Sequence, residues 1–368
     1  MTDNIIVSRE IHLKQRPKGF PTEENFEIVQ VDIPEPKEGE FLVRNIWMSL
    51  DPHMRIYMAK GTGIMPAYQL NKPPSGGCVG QVIESRNDKF KAGEYVLGNS
   101  GWREYWVSKG NGDSNGQDIV KVDPKMAPIQ YFLGILGITG FTAYVGLLKI
   151  GQLREDVDTV FVSTAAGGVG SIACQIAKIK GCYVVGSTGS KDKVEWLLNQ
   201  AKVDYAFNYK KLGAGSEDNN NNSISSELKD AFPNGIDLYF DNVGGRHLEA
   251  AIVNMNTFGR IVLCGATSQY SSISVADDND KFPQYQGPSN LHLAISNRLR
   301  LQGFLYSDHY DILDEFQTSM SKWIKEDRIK WKETLYEGLE NAPKAFIGLF
   351  KGENFGRTLV KIGSDNAS

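Results

Sequence analysis

The chain has little cysteine and little histidine: four of the first and five of the second among 368 residues. The cysteines Cys78, Cys174, Cys182 and Cys264 lie far apart, and none belongs to a Cys-x-x-Cys pair. Such pairs are the usual framework of a structural zinc site. The sequence therefore predicts four unpaired thiols and no bound metal.

Long hydrophobic runs and basic blocks are also missing. No apolar stretch approaches the roughly 18 residues of a membrane span, and the first residues lack the basic and apolar regions of a secretory signal. The net charge is −4 with no cluster of Lys and Arg, which argues against nucleic acid or an anionic membrane as a partner. We therefore expect a soluble cytoplasmic protein that acts on small molecules, with a nuclear location left open.

What is present changes in character near residue 131. In residues 1–130, short strand-like runs such as Phe41 to Trp47 alternate with Gly and Pro, which is typical of a partly closed β-barrel. In residues 131–330, strands and amphipathic helices alternate, which predicts a doubly wound parallel sheet of the Rossmann type. Residues 331–368 contain strand-like runs that we expect to complete the N-terminal domain.

Two polar segments interrupt this pattern. Residues 213–226 include four consecutive asparagines, Asn219 to Asn222, and are expected to form a disordered surface loop. Residues 276–290 are rich in Asp, Asn, Pro and Gly and are expected to form a second long loop.

A glycine-rich turn follows the strand-like run Thr159 to Val162. Small residues allow a tight turn and a close approach to a pyrophosphate, and the N-terminus of the next helix, expected to open at Gly168, offers free N–H groups. The strand–turn–helix context predicts a dinucleotide site at Ala165, Ala166, Gly167, Gly168, Val169 and Gly170.

The end of the next strand decides between NAD and NADP. An NAD site usually carries an acidic residue about 20 positions after the glycines, but this region reads Gly-Ser-Thr-Gly-Ser-Lys-Asp-Lys from Gly186 to Lys193. Its hydroxyls and the lysines Lys191 and Lys193 suit a 2′-phosphate, and Asp192 is expected in the first turn of a helix. These residues predict NADP(H). The alternative is that both lysines are solvated residues at the start of a helix.

Ordered motifs along the whole chain resemble the zinc-independent branch of the medium-chain dehydrogenase/reductase superfamily. The resemblance is to the leukotriene hydroxydehydrogenase, prostaglandin reductase and alkenal double-bond reductase group. The motifs include Ser49 to Arg55, Gly140 to Tyr144, Phe207 to Lys210, Tyr239 to Gly245, Gly259 to Ala266 and Gly352 to Gly356. The resemblance implies a GroES-like barrel as catalytic domain, a Rossmann domain, and a homodimer.

The resemblance also implies roles for individual residues. Tyr270 matches an active-site tyrosine near the substrate carbonyl. The helix-start residue Ser190 joins the cofactor set through its hydroxyl. Residues that match positions holding the 2′-phosphate or lining the rest of the cofactor are Lys193, Tyr209, Asn242, Cys264, Gly265, Phe304, Leu305, Tyr306 and Asn354.

His53 departs from the family pattern, which reads Asp-Pro-Tyr-Met-Arg where this chain has His. A histidine here either donates a hydrogen bond to the substrate or moves a proton, or it fills space; both interpretations stay open.

Cys78 lies where zinc-dependent relatives carry a Gly-His-Glu run, so the set of zinc ligands is incomplete.

Without a metal, oxidation of an unactivated alcohol is difficult, whereas an alkene activated by a carbonyl accepts hydride at its β-carbon. The sequence therefore favours an NADPH-dependent reductase of α,β-unsaturated aldehydes or ketones, with Tyr270 and His53 as candidate catalytic residues. Two alternatives remain: an NADPH quinone oxidoreductase, and a non-catalytic NADP(H)-binding sensor or scaffold.

Overall fold

The structure is a computed structural model that describes residues 6–59, 66–111, 119–212, 223–272 and 287–364. Contacts divide the chain into two units. The first unit contains the chain up to Gly134, the segment that begins at Tyr270, and the chain from Glu333 onward; the second contains the remainder.

The strands of the described residues are β1 Ile6–Leu13, β2 Phe26–Ile33, β3 Phe41–Leu50, β4 Cys78–Ser85, β5 Tyr95–Gly98, β6 Tyr105–Ser108, β7 Val120–Val122, β8 Thr159–Val162, β9 Tyr183–Thr188, β10 Tyr205–Asn208, β11 Ile236–Asp241, β12 Met255–Leu263, β13 Arg300–Gly303, β14 Glu333–Glu337 and β15 Arg357–Lys361. The α-helices are α1 Met54–Tyr57, α2 Ile138–Tyr144, α3 Gly170–Ile179, α4 Lys191–Asn199, α5 Ile224–Ala231, α6 Gly245–Asn254, α7 His292–Ser296, α8 Leu313–Lys325 and α9 Ala342–Lys351. A π-helical turn, Val145–Ile150, continues α2.

The first unit is built on a seven-stranded sheet in the order β14-β15-β3-β4-β5-β7, with β6 also paired to β3. Strand β15 runs antiparallel to β3, so the C-terminal chain joins the N-terminal sheet. Its core is aromatic: Trp102 stacks on Phe26 at 5.3 Å and meets Phe346 edge-on at 5.9 Å. These rings bury a large apolar area and hold α9 against the barrel.

The second unit is a six-stranded parallel sheet in the order β10-β9-β8-β11-β12-β13. Phe161 on β8 stacks between Tyr239 at 4.7 Å and Phe207 at 6.2 Å, so three strands share one ring stack. The strand order reverses between β8 and β11, where doubly wound sheets leave a crevice at their carboxyl edge. The predicted α/β fold, a partly closed GroES-like barrel with a Rossmann sheet, is confirmed.

The structure differs from the sequence expectations at one loop. Of the segment predicted to be disordered, residues 213–222 lie outside the described residues. Ser223 to Ser226, however, form a capping box and the first turn of α5, with the Ser226 N–H donating to Ser223 Oγ at 3.1 Å. The serines were assigned to the loop because they continue its polar composition. Residues 276–286 of the second predicted loop, 276–290, also lie outside the described residues.

None of the helices in the described ranges has the length and apolarity needed to cross a membrane.

Candidate active site

The glycine turn closes tightly after β8. The Gly167 N–H donates to the Thr164 carbonyl at 2.9 Å, and Thr164 itself has a left-handed φ of 49°. A Cβ on Gly170 would lie 2.3 Å from the Thr164 carbonyl oxygen, so only glycine fits there. Helix α3 begins at Gly170 with Val169 as its N-cap, two residues later than expected, because Gly167 and Gly168 are used in the turn.

The residues predicted to bind the cofactor in the second unit follow the carboxyl ends of its six parallel strands. Because those ends meet at one edge, residues far apart in sequence share that edge. After β8, β9, β10, β11, β12 and β13 come, in that order, Ala165 to Gly170, Ser190 with Lys193, Tyr209, Asn242, Cys264 with Gly265, and Phe304 with Leu305 and Tyr306.

A buried carboxylate organises the middle of this edge. Asp241 Oδ1 accepts hydrogen bonds from the Tyr239 hydroxyl at 2.6 Å and from the N–H groups of Val243 and Gly244 at 2.9 and 2.8 Å. The Asn242 amide donates to the Ser163 carbonyl at 2.7 Å. Burial raises the pKa of Asp241, and its hydrogen bonds act in the opposite direction. The network fixes the loop after β11.

The Asp241 carbonyl also anchors the chain after β12. It accepts from the N–H groups of Cys264 and Gly265 at 2.9 and 3.0 Å. Burial, followed by the charge of Asp241, raises the pKa of the Cys264 thiol to about 12. Cys264 is therefore a neutral thiol at physiological pH and has no nucleophilic role. None of the four cysteines forms a disulfide, as the sequence predicted.

The end of β9 lies next to the start of α4 and the end of β10. Ser190 caps α4 by accepting from the Lys193 N–H at 3.4 Å. A Cβ on Gly189 would lie 3.5 Å from the Tyr209 hydroxyl, so the turn after β10 approaches the end of β9. Ser190, Lys193 and Tyr209 are thus brought together, and a hydroxyl, a cation and a phenol suit a phosphate group.

Two other charged residues, Lys191 and Asp192, lie at the start of α4. Lys191 is 76% exposed and pairs with Glu195 at 3.5 Å, one turn along α4. Asp192 lies in the first helical turn, where a carboxylate favours the positive end of the helix dipole. Lys191 is therefore a solvated helix residue.

Sequence reasoning missed a histidine behind Tyr209. The His247 ring on α6 lies edge-on to the Tyr209 ring at 5.0 Å, and its Nε2 atom is buried without a hydrogen-bond partner in the described part of the chain. Burial lowers the pKa of His247 to about 4. The neutral imidazole serves as a rigid wall for Tyr209. Its position after the Gly-Gly turn gives no sequence signal for this contact.

In the first unit, the predicted residue His53 lies beside a buried ion pair. Asp51 Oδ1 and Oδ2 accept from two guanidinium nitrogens of Arg357, the second at 3.0 Å, and Arg357 Nε donates to the Leu133 carbonyl at 2.8 Å. The Asp51 and Arg357 side chains are 12% and 6% exposed. Sequence reasoning missed this pair because its members lie 306 positions apart.

The charges of this pair set the electrostatics at His53. Burial raises the pKa of Asp51, but the attraction of the Arg357 guanidinium outweighs burial and lowers that pKa overall. Burial lowers the pKa of His53, with Asp51 opposing and Arg357 adding to the shift. His53 is therefore neutral at pH 7, with one ring N–H to donate.

Tyr270 belongs to the same unit as His53, although the sequence placed it in the range of the nucleotide domain. The helical turn Tyr270–Ser272 packs against α1, which begins directly after His53. Arg55 anchors α1 by donating from Nε to the Gly19 carbonyl at 2.8 Å. Two predicted catalytic residues, 217 positions apart in sequence, therefore lie on contacting elements.

Asn354, the last predicted cofactor residue, lies between α9 and β15. Its amide donates to the Gly356 carbonyl at 3.1 Å, and left-handed Gly352 and Gly356 flank it, with φ of 73° and 69°. The loop holds Asn354 in the first unit, with His53 and Tyr270.

The described residues do not fit a zinc site. No group of three or more His, Cys, Asp or Glu side chains in these ranges is placed to hold a metal ion. Cys78 is buried in β4, paired by backbone with β3 and β5.

Comparisons with known proteins agree with this geometry. Residues 9–115 match a family model described as the N-terminal domain of oxidoreductase, and residues 168–326 match one described as zinc-binding dehydrogenase. Prostaglandin reductase 1 of Bos taurus is 41% identical, covering 95% of this chain and 97% of its own. The NADP(+)-dependent 2-alkenal reductase of Nicotiana tabacum is 37% identical, covering 97% and 98%.

A solved structure gives the same result. CurA of Vibrio vulnificus in complex with NADPH has a TM-score of 0.85 and 36% identity, covering 97% of this chain and 100% of its own. The NADPH bound to CurA and the NADP(+) dependence of the tobacco reductase agree with the predicted cofactor, NADP(H). The predicted family is confirmed: the chain belongs to the medium-chain dehydrogenase/reductase family and is an oxidoreductase of the group that contains prostaglandin reductase 1 and 2-alkenal reductase.

Proposed function

We propose that this protein uses NADPH to reduce the carbon–carbon double bond of α,β-unsaturated aldehydes or ketones. NADPH supplies, when bound, the hydride that is transferred to the β-carbon of the substrate. The names of the two relatives support this substrate class, because both act as reductases and one is a 2-alkenal reductase.

The second unit would hold the cofactor along the carboxyl edge of its sheet. The turn Ala165 to Gly170 leads into the N-terminus of α3, and the positive end of the helix dipole there suits a pyrophosphate. Ser190, Lys193 and Tyr209 suit the 2′-phosphate. The rest of the cofactor would lie against the residues that follow the other strands, which are Asn242, Cys264, Gly265 and Phe304 to Tyr306.

The first unit would stabilise the negative charge that collects on the carbonyl oxygen of the substrate. A phenol O–H and a neutral imidazole N–H are suitable donors for an enolate oxygen. Tyr270 and His53 would supply these groups, and the buried Asp51–Arg357 pair beside His53 sets the charge around the imidazole. The proton that the α-carbon needs comes from water.

One observation carries the proposal: the turn that begins at Tyr270 packs on α1, next to His53, within one unit. The sequence offered a tyrosine and a histidine with no demonstrated relation. The contact between the Tyr270 turn and α1 supports a common role for the two side chains as donors to one oxygen atom of the substrate.

The test is a Tyr270→Phe variant assayed with NADPH and a small enone. Loss of a transition-state donor is expected to lower kcat about a hundredfold and to leave the Kd of NADPH unchanged. Tyr183→Phe is the matched control, because Tyr183 starts β9 at the opposite edge of the sheet and its hydroxyl donates to the Ala231 carbonyl at 3.2 Å.

Equal rates for Tyr270→Phe and the wild type on the enone would remove the proposed oxyanion role. The same assay with a quinone separates the main alternative: a wild type that reduces quinones but not enones is a quinone oxidoreductase. Tight NADPH binding with no turnover of either substrate class would leave a nucleotide-binding sensor or scaffold.

A further inference from the structure

A second lysine reaches the end of β9 from the turn after β10. A Cβ on Gly189 would lie 3.2 Å from Lys210 Cε and 3.6 Å from Lys210 Cδ. The Lys210 side chain is therefore folded back over the end of the neighbouring strand, although the residue as a whole is exposed. The Asn208 side chain fixes this turn by accepting from the Lys210 N–H at 3.0 Å.

Lys210 is also close enough to Lys193 to affect it. Burial lowers the pKa of Lys193, and the positive charge of Lys210 lowers it further. Two ammonium groups in one place repel each other, and an anion between them removes that cost. Two cations and the Tyr209 hydroxyl around Gly189 are an arrangement that a phosphate dianion fits.

The sequence had offered Lys191 as the second cation. Its pairing with Glu195 and its 76% exposure place it on the solvent side of α4. The second cation is instead Lys210, which follows β10, the strand paired in parallel with β9.

We propose that Lys210 is a specificity-determining residue that, with Lys193, holds the 2′-phosphate and selects NADPH over NADH. This inference rests on the proposed function, since it assigns a further residue to the same cofactor site. It predicts that removing the Lys210 charge weakens binding only of ligands that carry a 2′-phosphate.

The experiment is calorimetric titration of the full chain with NADPH, NADH, adenosine 2′,5′-bisphosphate and AMP. Lys210→Met is expected to weaken NADPH and the bisphosphate about five- to tenfold, the value of one charge contact near a protein surface, and to leave NADH and AMP unchanged. Lys211→Met is the matched control, because Lys211 is the next residue of the same turn and is also exposed. Lys210→Arg, which keeps the charge, is expected to restore most of the affinity.

A pH series adds a readout that a merely structural residue would not change. A phosphate monoester loses its second proton near pH 6, so wild-type preference for NADPH over NADH should rise from pH 5 to pH 7. In Lys210→Met that rise should be smaller, because one of the two cations that favour the dianion is gone.

Different outcomes overturn different statements. A wild type that binds neither NADPH nor NADH contradicts the proposed function, and this inference with it. A wild type that prefers NADPH, together with a Lys210→Met variant that does so equally, overturns the inference alone. The same holds if Lys191→Met loses the preference instead, or if Lys210→Met weakens NADPH and NADH by the same factor. Lys210→Gln repeats the measurement should the Met variant be unstable.

Discussion

His247 is a buried imidazole whose pKa lies near 4 in the folded chain and near 6.5 in the unfolded chain. Between these values the unfolded state binds more protons, so the free energy of unfolding falls as pH falls from about 6.5 toward 4. At pH 5 the loss from this residue alone is expected to be about 2 kcal/mol.

Replacing His247 by Phe tests this effect. Urea unfolding gives the free energy of unfolding at pH 7 and at pH 5. The difference between these two free energies should be about 2 kcal/mol smaller in the variant than in the wild type. His292→Phe is the control, because His292 is exposed. An unchanged gap in His247→Phe would mean that His247 is not buried as a neutral group.

The Asp51–Arg357 pair gives a second prediction for single residues. Arg357→Met leaves a buried carboxylate without its partner, which is expected to cost about 3–5 kcal/mol of unfolding free energy. Arg86→Met, which removes an exposed pair with Glu35, should cost less than about 1 kcal/mol. Equal losses in the two variants, measured by urea unfolding, would contradict the buried pair.

The glycine turn is the element that we propose contacts the pyrophosphate of the cofactor. In Gly170→Ala the new methyl group would lie 2.3 Å from a backbone oxygen, so the turn must open. We expect at least a tenfold loss of NADPH affinity and about 1–3 kcal/mol of stability. Gly287→Ala is the control, because nothing lies within 4 Å of its Cβ position. Wild-type affinity in Gly170→Ala, by fluorescence titration, would show that the turn does not contact the cofactor.

Helix α5 shows how a cap corrects a boundary taken from composition. Ser223→Ala removes the side-chain acceptor at the start of α5 and should lower the unfolding free energy by about 1 kcal/mol. Chemical denaturation measures the loss, and Ser272→Ala, outside any cap, is the comparison. A loss equal to that of the comparison would argue that α5 does not begin at Ile224.

The sequence predicted those elements whose signal is local. The strands at β8, β9, β11 and β12 and the helix α3 follow from apolar periodicity, which is read within a window of a few residues. Strand β13, with the sequence Arg-Leu-Gln-Gly, has no such periodicity and was missed because only its pairing with β12 makes it a strand.

For the candidate site, too, the sequence predicted residues in local motifs but not the contacts between distant segments. Motifs named Tyr209 and His53, since these lie in runs that resemble the family, and Lys193 was named from the lysines and hydroxyls that follow β9. The Asp51–Arg357 pair, the contact of His247 with Tyr209 and the position of Lys210 depend on distant segments meeting, which no local pattern encodes. For Lys210, its place directly after Tyr209 was the one available signal.

Across the whole molecule, the predicted site residues are divided between the two units. The second unit gathers the predicted cofactor residues at one sheet edge because six parallel strands end there. The first unit carries His53, Tyr270 and Asn354, although Tyr270 lies far from the barrel segments in sequence. The chain thus leaves the nucleotide unit at Tyr270 to supply a side chain to the other unit.

We propose that this enzyme adds hydride from NADPH to the β-carbon of an activated carbon–carbon double bond. The most direct measurement is proton NMR of the product after the purified chain is incubated with NADPH and a small enone. We expect a saturated ketone that forms in step with the loss of NADPH absorbance at near-ultraviolet wavelengths. An allylic alcohol as the product, or unchanged enone while NADPH remains bound, would contradict it.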